Sequence, residues 1–190
     1  VAAWLVRWRA RWWLIAALAM QGVLAAMFLA CCARPELAEP LGLANSFKRA
    51  KGWEQLTERI VERAQLEGPG AYSAIAVNDR FLFNAAAYYG RDFFASPDAP
   101  PLVMWLRTTE PQNQAETVAP LTRANGRRVV GVALEQTWRD EMVADFAKVS
   151  GREIYSVRLD AKRRRRAEIF TAEGFAPRPR DPNTGLPIAP

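Results

Sequence analysis

Residues 12–32 read WWLIAALAMQGVLAAMFLACC, and this apolar stretch decides how the rest of the chain is organised. Gln21 is its only strongly polar side chain. At about 1.5 Å per residue, a helix of this length covers roughly 30 Å, the thickness of the hydrocarbon core of a bilayer. The stretch therefore predicts a transmembrane helix, in which Gln21 would hydrogen-bond to a neighbouring helix.

The residues before the helix predict its orientation. Arginine and tryptophan are interleaved there, at Arg7, Trp8, Arg9, Arg11, Trp12 and Trp13. Arginine is retained on the cytoplasmic side of a membrane, and tryptophan favours the headgroup layer. Residues 1–11 are then a cytoplasmic loop or the end of a preceding membrane helix, and the domain after the helix is periplasmic. Because the chain starts at Val1 rather than at a methionine, we expect it to be part of a longer protein.

A lipoprotein signal peptide is the alternative interpretation of the same segment. A basic region and an apolar region are followed by Leu29-Ala30-Cys31-Cys32, in which a cysteine could be acylated. However, Phe28 and Leu29 are unfavourable before Ala30, and the apolar run is longer than the usual ~7–15 residues. The two adjacent cysteines do not indicate a disulfide framework, because a bridge between neighbours strains the intervening peptide.

The rest of the chain divides into a connector at 33–51, a domain at 52–176 and a proline-rich, extended tail at 177–190. Helices are predicted at 53–64, at 81–89 with Asp79 as its cap, near 115–123, and at 138–150 with Thr137 as its cap. Strands are predicted at 72–77, 102–106, 129–133 and 154–159, with an edge strand at 168–171. This alternation predicts a small three-layer α/β domain with a mostly parallel sheet.

Composition excludes several classes of function. The net charge is +6, but the basic residues lie beside the apolar stretch, in the run Arg163–Arg166 and singly elsewhere, so no nucleic-acid partner is expected. The sequence contains no histidine, which is the commonest general base and zinc ligand. No strand is followed by GxGxxG or GxxxxGK[ST]. We therefore expect no metal site and no cofactor in this chain.

Several segments are more specific than composition. They are Asn45-Ser46-Phe47-Lys48-Arg49 with Gly52-Trp53, Phe83-Asn84 with Tyr88-Tyr89-Gly90-Arg91, Pro111-Gln112-Asn113-Gln114-Ala115-Glu116, Leu159-Asp160-Ala161-Lys162-Arg163, and the ending from Pro177 to Pro187. Together they resemble the last membrane helix and C-terminal periplasmic domain of bacterial integral-membrane glycosyltransferases of the protein-mannosyltransferase and aminoarabinose-transferase type (family 39).

The resemblance implies an inner-membrane protein that takes a sugar from a polyprenyl-phosphate carrier. In that family the catalytic acidic residue lies in the first extracytoplasmic loop, upstream of the part that this chain resembles. No residue here inherits the catalytic role, and the chain alone is expected to be inactive. The competing interpretation is a periplasmic binding or scaffold module without enzymatic activity, anchored by a helix or by lipid.

Four basic residues are candidate contacts to a lipid phosphate or to anionic headgroups: Lys48, Arg49, Arg163 and Arg164. Lys48 and Arg49 could instead be ordinary interfacial anchors, and the run Arg163–Arg166 could be a solvated loop. On a strand, only about half of that run can share one surface. Asp79 and Asp92 are the carboxylates nearest to a predicted strand end or loop, where α/β proteins bind ligands.

Overall fold

A computed structural model describes residues 11–38, 40–43, 51–134 and 136–188. The chain divides into two units, Val1–Lys51 and Gly52–Pro190. The first unit contains helix α1 (Arg11–Ala33), which is long and apolar enough to cross a membrane. A 3-10 turn follows at Pro35–Ala38, and Cys31 is buried against Ala38 and Leu43.

The second unit is an α/β domain with a five-stranded mixed sheet. Its first half comprises α2 (Trp53–Gln65), β1 (Ala74–Val77), α3 (Arg80–Tyr89), α4 (Arg91–Phe94), β2 (Leu102–Met104) and α5 (Gln114–Val118). Its second half comprises β3 (Arg128–Ala133), α6 (Gln136–Val143), β4 (Phe146–Arg158) and β5 (Arg164–Phe175). The strand order is β2-β1-β3-β5-β4.

The prediction of a mostly parallel sheet is wrong. β1 is parallel to both of its neighbours, β2 and β3, whereas β5 is antiparallel to both β3 and β4. The parallel pairs align three and four residues, and the antiparallel pairs align six and ten. The sheet is therefore mostly antiparallel, because the two longest strands form a hairpin.

The predicted helix at 138–150 is also wrong in its second half. α6 already begins at Gln136, so Thr137 lies inside the helix, and α6 ends at Val143. Met142 and Phe146 are four residues apart, as on one face of a helix, but Phe146 is the first residue of β4. Both side chains pack in the same core cluster, but they reach it from two different elements. Two buried apolar residues four positions apart therefore gave the same pattern as one face of a helix.

The segment 168–171, predicted as an edge strand, lies within the interior strand β5.

Several local predictions are confirmed. Asp79 caps α3, because its Oδ1 accepts hydrogen bonds from the backbone N–H groups of Phe81 (2.8 Å) and Leu82 (3.0 Å), and Gly90 follows the last helical residue.

Side chains alternate between the two faces of the sheet. Ile75 and Val77 of β1 pack with buried residues of α2, α3 and α5, namely Leu56, Ile60, Leu82 and Ala115. Ala74 and Ala76 face the other side, where they join the cluster of Trp105, Met142 and Phe170. Helices thus cover both faces, with α2, α3, α4 and α5 on the first and α6 on the second.

The proline-rich segment after β5 folds back onto the domain. Asp145, between α6 and β4, is buried and accepts hydrogen bonds from Nε of Arg178 (3.0 Å) and Nη2 of Arg180 (2.8 Å). It also accepts one from the indole Nε1 of Trp105 (2.9 Å). The segment therefore covers part of the second face instead of extending away from it.

A candidate anion-binding site on the β4–β5 hairpin

The tip of the β4–β5 hairpin projects beyond the carboxyl end of β3. Ala133, the last residue of β3, pairs with Glu168, and Arg164 pairs with Arg158 of β4. The first four residues of β5 therefore continue past the end of β3 together with their partners on β4. The carboxyl edge of parallel strands is where α/β proteins usually place ligand sites.

Asp160 fixes the shape of the hairpin turn. Its Oδ1 accepts hydrogen bonds from the backbone N–H groups of Lys162 (2.8 Å) and Arg163 (2.9 Å). The N–H of Leu159 donates to the carbonyl oxygen of Arg163 at 3.0 Å. A carboxylate that bonds to its own backbone in this way is a common turn device. The turn therefore fixes the backbone from which the flanking basic side chains project.

Three arginines lie on one face of the hairpin. Arg158 and Arg164 are directly opposite each other, and Arg166 is two residues further along β5 on the same face. Like charges directly opposite each other destabilise a strand pair. Within the described part of the chain, neither Arg164 nor Arg166 forms an ion pair. The arrangement favours an external anion as the partner of these side chains.

A cavity of about 550 Å³ lies at this place, and its charged lining comprises Arg158, Asp160, Lys162, Arg163, Arg164 and Arg166. Five of these groups are cationic and one is a carboxylate, which is already bonded to the turn. Guanidinium groups bind phosphates through paired hydrogen bonds. The geometry and charge of the cavity therefore suit a phosphate group.

Arg165 points to the opposite face, so the four consecutive arginines do not form one surface. Its guanidinium carbon Cζ lies 3.4 Å from the centre of the Trp53 indole ring. Burial lowers the pKa of the Arg165 guanidinium, while the Asp79 carboxylate acts in the opposite direction. Arg165 thus joins the hairpin to the start of α2 and does not line the cavity.

The domain begins beside the turn end of the hairpin. Gly52 precedes α2 with φ of 79°, and a Cβ atom there would lie 2.8 Å from Cδ2 of Leu159. Both the positive φ and the contact require glycine at this position. The same Cβ atom would lie 3.1 Å from Val157, which packs on the first face, so the chain enters the domain on the face opposite Arg158 and Arg164.

The structure brings together only part of the predicted site. Arg163 and Arg164 both line the cavity, whereas Lys48 and Arg49 lie outside the described residues. Asp79 serves as the cap of α3. Asp92 is exposed and borders a different cavity of about 620 Å³ beside Phe93.

The sequence did not single out Arg158, and only Arg163 and Arg164 were selected as contacts from the run Arg163–Arg166. Arg158 lies in a segment that was predicted as a strand with one wet face, and its alternation with the apolar Val157 was the available signal. Arg166 could not be assigned to a face until the register of β5 was known. Among the residues that the structure describes, no group of three or more cysteine, aspartate or glutamate side chains could hold a metal ion.

Fold and site together define a class: the described residues include one candidate membrane helix and an α/β domain that carries a cationic hairpin. No family model matches the chain, and it has no significant match to a curated protein or to a solved structure.

Proposed function

We propose that this chain is the C-terminal membrane and periplasmic portion of a glycosyltransferase that transfers a sugar from a polyprenyl-phosphate donor. In this proposal α1 lies in the inner membrane, the α/β domain lies on the periplasmic face, and the catalytic carboxylate belongs to an upstream part of the protein. The apolar length of α1 and the segments that resemble family 39 transferases support it.

The observation that carries the proposal is the cationic cavity at the tip of the hairpin, which Arg163 and Arg164 line together with Arg158 and Arg166. The phosphate of a lipid-linked sugar lies at the bilayer surface, and the proposal requires the cationic hairpin to reach that surface. Arg163 and Arg164, with Lys48 and Arg49 of the connector, would contact this phosphate or neighbouring anionic headgroups.

The chemistry asked of this domain is electrostatic. When the sugar leaves, negative charge increases on the carrier phosphate, and fixed guanidinium groups stabilise that charge. Transfer also needs a carboxylate placed against the acceptor and a groove for the lipid tail between several membrane helices. The isolated chain is therefore expected to bind the carrier phosphate without transferring sugar.

The proposal predicts that removing two charges from the hairpin weakens binding of the carrier. The chain is reconstituted into neutral nanodiscs with and without undecaprenyl phosphate, and retention of the lipid is measured by native mass spectrometry. Because each basic residue near a charged surface contributes about 1 kcal/mol, Arg163→Gln with Arg164→Gln should weaken retention roughly 10- to 30-fold.

Arg123→Gln with Arg127→Gln is the matched control, because both arginines are exposed and lie at the amino end of β3, away from the hairpin. If both variants lost lipid retention equally, the loss would be explained by net charge alone, and the proposal would be contradicted.

The upstream coding sequence separates the transferase from an anchored scaffold without enzymatic activity. Several further hydrophobic spans, with an acidic pair after the first, would support the transferase. An initiator methionine directly before Val1 would exclude it and leave the scaffold.

A further inference from the structure

A second cavity, of about 420 Å³, lies between α3 and α5 on the face of the sheet opposite the hairpin arginines. It is lined by Arg80, Phe83, Asn84, Asn113, Gln114 and Val118, among others, and is called the amide cleft below. α3 and α5 bury Leu82 and Ala115 against Ile75 and Val77. The hairpin arginines alternate with Val157 and Ala167, which belong to that same cluster, and so face the other way.

One wall of the amide cleft is fixed by internal hydrogen bonds. Asn113 accepts a bond from the N–H of Glu116 (3.2 Å) through Oδ1 and donates from Nδ2 to Oε1 of Glu116 (2.8 Å). The other oxygen of Glu116 accepts the N–H of Gln112 at 2.6 Å. Glu116 is buried. Both oxygens of its carboxylate accept hydrogen bonds within the wall, so they are not available to a ligand in the cleft.

Two amides remain available to a ligand. Asn84 on α3 and Gln114 on α5 are exposed, and within the described part of the chain neither side chain forms a hydrogen bond. Each primary amide offers two N–H donors and a carbonyl acceptor. The two residues come from segments thirty positions apart in sequence, and the fold places them on one cavity.

The rest of the lining is apolar or carries a single positive charge. Phe83 is partly buried and packs against the core, and Val118 is 66% exposed. Arg80 stacks on Phe81, with Cζ 5.0 Å from the ring centre. Neutral amides beside an aromatic and aliphatic floor match a ligand that alternates hydroxyl groups with C–H faces, which is the chemistry of a sugar ring. The volume falls within the ~300–1,000 Å³ of small-molecule sites.

We propose that the amide cleft binds one or two sugar residues of the acceptor. The inference rests on the proposed function, because a glycosyltransferase needs an acceptor and a scaffold without enzymatic activity does not. One lipid-linked phosphosugar cannot occupy both the hairpin cavity and the cleft. β1 and β5 are two strand spacings apart, about 10 Å, and the two cavities lie on opposite faces of the sheet. The cleft therefore serves the second substrate.

The test measures sugar binding to the whole chain in detergent micelles, without any donor. The probes are chitobiose, mannobiose and galactobiose, and saturation-transfer-difference NMR measures their binding. At least one disaccharide should bind, and Asn84→Ala with Gln114→Ala should weaken its affinity about tenfold, as expected for two lost hydrogen bonds. Gln65→Ala, an exposed amide on α2 outside the cleft, should leave the affinity unchanged.

Binding of none of the three disaccharides would overturn the inference, as would equal affinity of the double variant and the unaltered chain. Binding of the peptide Ser-Thr-Ala-Ser in place of a sugar would also overturn it and would indicate a protein acceptor. The variant with Arg163→Gln and Arg164→Gln should retain sugar binding. That arm distinguishes failure of the cleft from failure of the proposed carrier site.

Discussion

At the scale of single residues, Asp145 shows how this chain uses buried charge. The residue is 1% exposed and holds Trp105, Arg178 and Arg180. Burial by itself raises the pKa of Asp145, but hydrogen bonds from Arg180, from the backbone N–H of Arg178 and from Trp105 outweigh it, so the pKa lies below its usual value. The ionised carboxylate is the form that stabilises the fold.

Asp145→Ala should reduce the free energy of unfolding by about 3–5 kcal/mol, because it leaves two guanidinium groups without their buried partner. Urea denaturation of the chain in micelles, followed by near-UV circular dichroism, measures this loss. Asp92→Ala is the control, since the Asp92 side chain is 95% exposed and its loss should change stability by less than about 0.5 kcal/mol.

The same carboxylate predicts a pH dependence. Since folding lowers the pKa of Asp145, its contribution is complete above the unfolded value of about 3.9 and is lost as the pH falls through the lower folded value. Unfolding of the unaltered chain should become easier in that acid range. The Asp145→Ala variant should show a flatter dependence there, and identical acid profiles would contradict the assignment.

At the scale of elements, local signals were sufficient for some of the fold but not for the hairpin. The cap by Asp79 and the apolar run of β1 are properties of short segments, and both were predictable. The interior position of β5 depends on its partners β3 and β4, which no local pattern specifies. Arg163 and Arg164 were predictable from their charge, but their convergence with Arg158 depends on the register of the hairpin.

The pairing of β3 with β5 requires glycine at position 131. A Cβ atom at Gly131 would meet the ring of Phe170, its cross-strand partner, which is fully buried. Gly131→Ala should therefore destabilise the chain by about 1–3 kcal/mol through overpacking. Thermal or urea unfolding of the variant measures the loss.

A double-mutant cycle identifies the cause. Combining Gly131→Ala with Phe170→Leu should cost less than the sum of the two single changes, because the smaller side chain gives way to the added methyl group. Strict additivity would show that the ring of Phe170 is not what limits position 131.

At the scale of the whole molecule, the proposed function depends on the side of the membrane that the domain occupies. The proposed contact of the hairpin with a polyprenyl-phosphate sugar and the proposed binding of the acceptor in the amide cleft both require the α/β domain to lie on the periplasmic face. The basis for that proposed orientation is Arg7 and Arg9 before α1 and Arg11 at its first residue, because arginine is retained on the cytoplasmic side.

Reporter fusions after Pro190 measure which side of the membrane the domain occupies. Alkaline phosphatase, which is active only outside the cytoplasm, should be active in this fusion. Green fluorescent protein fluoresces only poorly when it is exported in an unfolded state, so the corresponding fusion should be dark. Replacing Arg7, Arg9 and Arg11 with glutamine should reduce the ratio of phosphatase activity to fluorescence. An inactive phosphatase together with a fluorescent fusion would place the domain in the cytoplasm and contradict the account.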